Sequence, residues 1–139
     1  MSKTAVVFWS GTGNTEAMAQ AVADGMKAKG ADVSVMDPAE FNASMVNDFD
    51  AIAFGCPAMG AEVLEEAEFE PMFTDVEALL AGKKIGLFGS WGWGNGVWMD
   101  DWKARCEGDG AEIVGTCICM EAPDDSALAE CRALGENLA

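Results

Sequence analysis

The chain has 139 residues, of which half are apolar, and its 24 acidic against 8 basic side chains give a formal net charge of −16. Such a charge argues against nucleic acid and anionic membranes as partners, because their phosphates require Lys and Arg. No apolar run reaches the ~18 residues of a transmembrane helix and no basic-then-apolar leader is present, so we expect one cytoplasmic domain over residues 1–139.

Strand and helix patterns alternate along the whole chain. The predicted strands are Lys3–Trp9, Asp32–Met36, Asp50–Gly55, Lys84–Ser90 and Glu112–Met120. The predicted helices begin at Gly13–Thr15 and end at Lys29, run from Glu70 or Pro71 to Leu80, and cover Val97–Glu107 and Ser126–Leu138, with a short helix at Phe41–Val46. This alternation predicts a doubly wound α/β fold, in which helices cover both faces of a five-stranded parallel sheet.

The first strand ends abruptly in a loop made only of small polar residues. Its residues are Ser10, Gly11, Thr12, Gly13, Asn14 and Thr15. A strand, a glycine loop and a helix N-terminus together place main-chain N–H groups around an anion. The loop lacks the Lys of a P-loop and the third glycine of a dinucleotide fingerprint, so it predicts a site for a single phosphate.

Two further loops follow the third and fourth strands, at the same edge of the predicted sheet. In open α/β sheets ligands bind beyond the carboxyl ends of the strands. One loop contains Pro57-Ala58-Met59-Gly60 and then Glu62, and the other is Ser90-Trp91-Gly92-Trp93-Gly94. Glycines let a backbone approach a planar ring, while Met59 and Trp93 offer a polarisable and an aromatic surface to its faces.

These three loops, in this order and spacing, resemble those of the flavodoxin family, and the resemblance covers essentially the whole chain. It implies a strand order of 2-1-3-4-5, a noncovalently bound FMN and one-electron transfer at low potential by a carrier that is not an enzyme. The short length and the uninterrupted fifth strand resemble the short-chain branch of the family.

The resemblance also implies roles for individual residues. Ser10, Thr12, Gly13, Asn14 and Thr15 would hold the FMN phosphate. Met59 and Trp93 would cover the two ring faces, and Glu62 would accept from the ring N3–H. The remaining members of the candidate set are Gly11, Pro57, Ala58, Gly60, Ser90, Trp91, Gly92 and Gly94. No catalytic residue and no metal ligand is expected.

The five cysteines are predicted to be reduced, mostly buried thiols. They are Cys56, Cys106, Cys117, Cys119 and Cys131. Their number is odd and no Cys-x-x-Cys pair occurs. Because the chain also has no histidine, we expect neither a zinc nor an iron–sulfur site.

The negative charge has two explanations. It favours partner proteins with basic faces, such as reductases and oxidoreductases normally served by ferredoxin, because the field steers their encounter. Alternatively, it only keeps a small monomeric protein soluble. The acidic stretch from Glu62 to Glu70 is interpreted as a solvated face or a partner surface.

Two other functions would use the same topology. A receiver-type phosphoacceptor needs clustered acids after the first strand and an aspartate at the end of the third, where this chain has Ser-Gly-Thr and Gly-Cys-Pro. A small FMN-dependent NAD(P)H reductase would use the same loops but needs room for a second substrate. Oxidation of NAD(P)H by the isolated protein would favour the reductase over the carrier.

Overall fold

A computed structural model describes residues 2–11, 13–58, 64–91 and 96–139. Five strands are formed, namely β1 (Lys3–Phe8), β2 (Asp32–Met36), β3 (Ala51–Gly55), β4 (Lys84–Trp91) and β5 (Glu112–Met120). The α-helices are α1 (Asn14–Ala28), α2 (Phe69–Val76), α3 (Val97–Gly108) and α4 (Asp125–Leu138), with short 3₁₀ helices at Ala43–Asp48 and Glu77–Leu79.

The strands form one sheet in the order β2-β1-β3-β4-β5, and every neighbouring pair is parallel. β3 lies in the middle of the sheet and all its residues are buried, as expected for a strand covered on both faces. Both the predicted fold class and the strand order implied by the resemblance are confirmed.

The core lies in two layers, one on each face of the sheet. The layer beneath α1 and α4 contains Met18, Val22 and Met26, which are fully buried and form the predicted stripe of α1. The other layer is aromatic: Phe54 meets the edge of Phe73 with ring centroids 5.2 Å apart. Within the described residues, no helix has the length and apolar character required to cross a membrane.

Several predicted boundaries were wrong by a few residues. Trp9 lies beyond β1, although its N–H still donates to Gly55 O at 3.0 Å. The short helix predicted at Phe41–Val46 is a 3₁₀ helix beginning at Ala43, because the Asn42 side chain accepts from Ser44 N and caps it there.

The second helix also differs from its prediction. α2 ends at Val76 and continues as a 3₁₀ turn, although Phe73, Val76 and Leu80 are buried as predicted.

Candidate functional site

Loops from three strands meet around Ser90, near the carboxyl end of β4. The hydroxyl of Ser90 lies 3.5 Å from the hydroxyl of Thr15, at the start of α1. The carbonyl of Ser90 accepts from the N–H of Ala58, which follows β3, at 3.0 Å. Ser90 and Thr15 are buried. The structure therefore brings together described members of all three predicted loops.

The first loop is organised by the hydroxyl of Ser10. Its Oγ accepts from Gly13 N at 3.1 Å and from Glu16 N at 3.3 Å. These donors belong to the N-terminus of α1, where the first N–H groups have no partner inside the helix. The N–H groups of Asn14 and Thr15 belong to the same turn, so the loop surrounds a helix terminus suited to an anion.

Gly13 adopts a conformation that favours glycine. Its φ is 91°, in the left-handed region, and a Cβ built on it would meet no atom of the described residues within 4 Å. The described part of the loop therefore leaves this position open. Gly11, by contrast, lies under the ring of Trp9, whose Cη2 would be 2.9 Å from an added Cβ.

The second loop begins at Cys56, all of whose polar atoms are hydrogen-bonded. Its N–H donates to Phe88 O at 3.1 Å, and its carbonyl accepts from Trp98 Nε1 at 3.2 Å. Gly89 lets the main chain of β4 lie close to Cys56, because a Cβ at Gly89 would be 2.1 Å from the Cys56 carbonyl oxygen. Pro57 and Ala58 follow as half-buried residues.

Glu65 anchors the far end of the second loop. It is only 7% exposed, and its carboxylate accepts from the N–H groups of Ala67, Glu68 and Phe69 at 2.8–2.9 Å. Burial raises the pKa of Glu65, but the three donors together outweigh it and hold that pKa below the ordinary value.

The expectation that the acidic stretch is a solvated face is therefore wrong for Glu65. The stretch folds back on itself at this residue, and the helix terminus that follows needs an acceptor for its N–H groups. Glu66 and Glu68 are exposed, as expected.

Trp91 ends β4 and is partly buried against the core. Its carbonyl accepts from Glu121 N at 2.7 Å, which joins the end of β4 to the loop after β5. The predicted site residues Thr12, Met59, Gly60, Glu62, Gly92, Trp93 and Gly94 lie outside the described residues.

Sequence reasoning missed four residues that shape this edge. Trp9 covers Gly11, Trp98 holds the Cys56 carbonyl, and Glu65 and Cys56 join the two ends of the second loop. An aromatic residue directly before a glycine loop was a usable signal for Trp9. No local pattern distinguishes Glu65 from its acidic neighbours.

The fold and this edge define a class of protein. The order of the strands reverses between β1 and β3, and the glycine loop follows β1 at that point. The chain is thus a doubly wound α/β protein, a class in which ligands bind at the switch point of the sheet. Residues 6–135 match the family model described as flavodoxin. The chain belongs to the flavodoxin family, itself a standard example of the switch-point rule.

Named relatives agree with this family. The chain is 52% identical to the flavodoxin of Megasphaera elsdenii over 96% of both chains, and 42% identical to that of Clostridium beijerinckii over 96% of this chain and 97% of the relative. The solution structure of two-electron reduced Megasphaera elsdenii flavodoxin superimposes with a TM-score of 0.90 at 51% identity, covering 97% of each chain. As a member of this family, the protein is an FMN-binding electron carrier rather than an enzyme.

Proposed function

We propose that this protein carries single electrons at low potential between redox proteins, with residues 1–139 forming one FMN-binding domain. The observation that carries the proposal is the convergence of the β1, β3 and β4 loops on Ser90. A ligand at this point is contacted from three directions, which suits a molecule with a phosphate at one end and a planar ring at the other.

The phosphate belongs in the first loop. Ser10, Thr12, Gly13, Asn14 and Thr15 would donate to it through hydroxyl, amide and main-chain N–H groups. The open position at Gly13 and the N-terminus of α1 support this fit. The loop contains no Lys or Arg, so the phosphate would be held without adding a cation beside the ring.

The ring belongs between the second and third loops. Met59 and Trp93 would cover its faces, and Glu62 would accept from its N3–H. The rest of the contact set is Gly11, Pro57, Ala58, Gly60, Ser90, Trp91, Gly92 and Gly94. When bound, FMN supplies one-electron redox chemistry. The protein positions the ring, excludes water and sets the surrounding charge.

The acidic surface would influence both the reduction potential of the bound FMN and the choice of partner proteins. A charge of −16 disfavours added negative charge on a bound ring, which lowers the potential at which it is reduced. The same field would draw the basic faces of reductases and of oxidoreductases normally served by ferredoxin. We propose that the protein does so as a cytoplasmic monomer.

The experiment compares FMN with riboflavin, which lacks the phosphate. For the apoprotein variant Ser10→Ala we expect the Kd for FMN to rise about 10-fold or more, because a hydrogen bond to a charged group contributes about 1.5–3 kcal/mol. The Kd for riboflavin should change little. Equal losses for both ligands would contradict the phosphate assignment.

A second measurement tests the carrier function directly. Stepwise reduction of the purified protein, followed by visible absorbance, should show two separate one-electron stages. A colourless protein that takes up no FMN would overturn the proposal. Rapid NAD(P)H oxidation without a partner would point to a reductase instead.

A further inference from the structure

Two cysteines from different elements lie against each other inside the protein. Cys117 is on β5 and Cys131 is on α4, and their Sγ atoms are 3.1 Å apart. The side chains are 2% and 0% exposed. This distance is shorter than an ordinary contact between two sulfur atoms, so the thiols share a hydrogen bond. The pair lies outside the three loops described above.

The pair is close to the geometry of a disulfide. A disulfide needs an S–S distance of about 2.05 Å, so the two sulfur atoms must approach by only about 1 Å. Both residues sit on regular elements that pack directly on each other through the core beneath α1 and α4.

The other thiols differ from this pair in their surroundings. Burial raises the pKa of Cys56 and of Cys106 to about 12, and that of Cys119 to about 11. The hydrogen bond within the pair lowers the pKa of Cys117 below its ordinary value and, together with burial, raises the pKa of Cys131. Because the thiolate is the reactive form, this direction and the 3.1 Å contact favour Cys117 as the nucleophile and Cys131 as the resolving thiol.

We propose that Cys117 and Cys131 form a dithiol site that peroxides oxidise to an intrachain disulfide. The Cys117 thiolate attacks one oxygen of hydrogen peroxide, giving a sulfenic acid at Cys117 and hydroxide. The Cys131 sulfur then attacks the Cys117 sulfur, the S–S bond forms, and water leaves with the proton from Cys131. Two thiols lose two electrons and two protons, and one peroxide is reduced to two waters.

A groove lies between β5 and α4, the two elements that carry the pair. It has a volume of about 260 Å³ and is lined by Gly115, Thr116, Glu130, Ala133, Leu134 and Asn137. Thr116 and Glu130 directly precede the two cysteines in sequence.

The cross-link would restrain one corner of the proposed ligand site. It would close residues 118–130 into a loop, which includes the segment between β5 and α4. Glu121 in that segment donates to the carbonyl of Trp91 at the end of β4. The chemistry of the thiol pair does not depend on FMN. The cross-link can therefore be tested independently of the proposed function.

The test oxidises the native, FMN-loaded protein with hydrogen peroxide and then alkylates the remaining thiols in denaturant. We expect two of the five thiols to escape alkylation and peptide mapping to join Cys117 to Cys131. A reductant should restore all five, and amide exchange in the segment between β5 and α4 should slow in the oxidised form.

Controls separate this site from nonspecific oxidation. Cys117→Ala and Cys131→Ala should each abolish the cross-link, whereas Cys106→Ala and Cys119→Ala should keep it. Oxidation in denaturant should give mixed pairings. The proposal is overturned if native wild-type protein gives sulfinic acid without a cross-link, or if a different pair of cysteines is joined. Because the wild-type mapping needs no variant, a variant that fails to fold does not block the test.

Discussion

The main-chain N–H of Glu65 donates to the sulfur of Cys56 at 3.3 Å. These residues stand nine positions apart, at the two ends of the loop proposed to carry the ring contacts. The Cys56 thiol in turn donates to Pro57 O at 3.5 Å. The buried Cys56 thiol and the main-chain N–H of Glu65 thus close the base of this loop, while the Glu65 carboxylate ties that end to the start of α2.

The substitution Glu65→Gln should lower the free energy of unfolding by about 1–3 kcal/mol, because buried N–H donors lose a charged acceptor. Glu66→Gln, one residue on and exposed, should change it by less than about 0.5 kcal/mol. Urea denaturation of both variants measures the difference. Equal effects would show that the Glu65 carboxylate is not the anchor.

The same carboxylate predicts a pH dependence. The pKa of Glu65 in the folded protein lies below its ordinary value of 4.5. The contribution of the Glu65 carboxylate to the free energy of unfolding is therefore fully present above pH 4.5. It is lost as the pH falls through the pKa of the folded protein. The stability gap between wild type and Glu65→Gln should narrow as unfolding is repeated from pH 7 down to pH ~3. A gap that widens on acidification would contradict this assignment.

Arg105 joins α3 to α2 and to the 3₁₀ turn after it, through one carboxylate on each. It contacts both oxygens of Glu70 at 2.8 Å and Glu77 at 2.6 Å, and its guanidinium lies 4.9 Å from the centre of the Phe73 ring. Arg105→Lys should cost about 1 kcal/mol, since an ammonium cannot reproduce the bidentate pair and the site is partly solvated.

Arg132→Lys is the matched control, because Arg132 is exposed and makes no ion pair within the described residues. Thermal unfolding at low and high salt measures both variants. The loss at Arg105 should shrink with salt, and a loss of the same size at Arg132 would refute the interpretation.

Gly25 lets α1 approach α4 closely. An added Cβ would lie 2.0 Å from Arg132 O, and the reciprocal position, Gly135, would meet Val22 O at 2.0 Å. Gly25→Ala should destabilise the protein by about 3 kcal/mol, because main chain must move apart. Gly108→Ala, where no described atom lies within 4 Å, should instead stabilise α3 by about 0.5–1 kcal/mol. Chemical denaturation measures the change in unfolding free energy for both variants. Changes of the same sign would be inconsistent with the close packing at Gly25.

Gly13 and Gly30 provide a matched pair at the two ends of α1. Their φ angles are 91° and 82°, and neither Cβ would meet a described atom within 4 Å. Alanine at either position should cost about 1–2 kcal/mol of stability, because both residues adopt the left-handed conformation. Only Gly13→Ala should weaken the binding of FMN more than the binding of riboflavin, as measured by fluorescence titration. An unchanged ratio would remove Gly13 from the phosphate site.

Glu16 tests the electrostatic part of the proposed function. It is exposed in the first turn of α1, whereas Glu112 is exposed at the start of β5, the opposite end of the sheet. Glu16→Gln should raise the potential for full reduction by about 10–40 mV at low salt, which corresponds to about 0.2–1 kcal/mol. Glu112→Gln should change it less, and salt should diminish both effects. Potentials that respond to neither substitution would argue against tuning by surface charge.

The layered fold and the edge that carries the site follow from patterns that are local in the chain. Alternating strand and helix patterns, the Met18, Val22 and Met26 stripe, and the small polar residues after the first strand are local properties. Parallel strands linked by helices bring their carboxyl ends to one edge of the sheet, so the position of the loops follows from their order in the chain.

Contacts between distant residues depend on how the strands and helices are arranged in the folded protein. Glu65 is buried while Glu66 is exposed, Trp98 reaches the Cys56 carbonyl, and Cys117 meets Cys131. Each contact depends on which strands are neighbours and how closely the helices pack on them. The residues that surround a side chain in the folded protein determine its burial and its hydrogen bonds. Hydrophobic periodicity along one segment does not identify those neighbours.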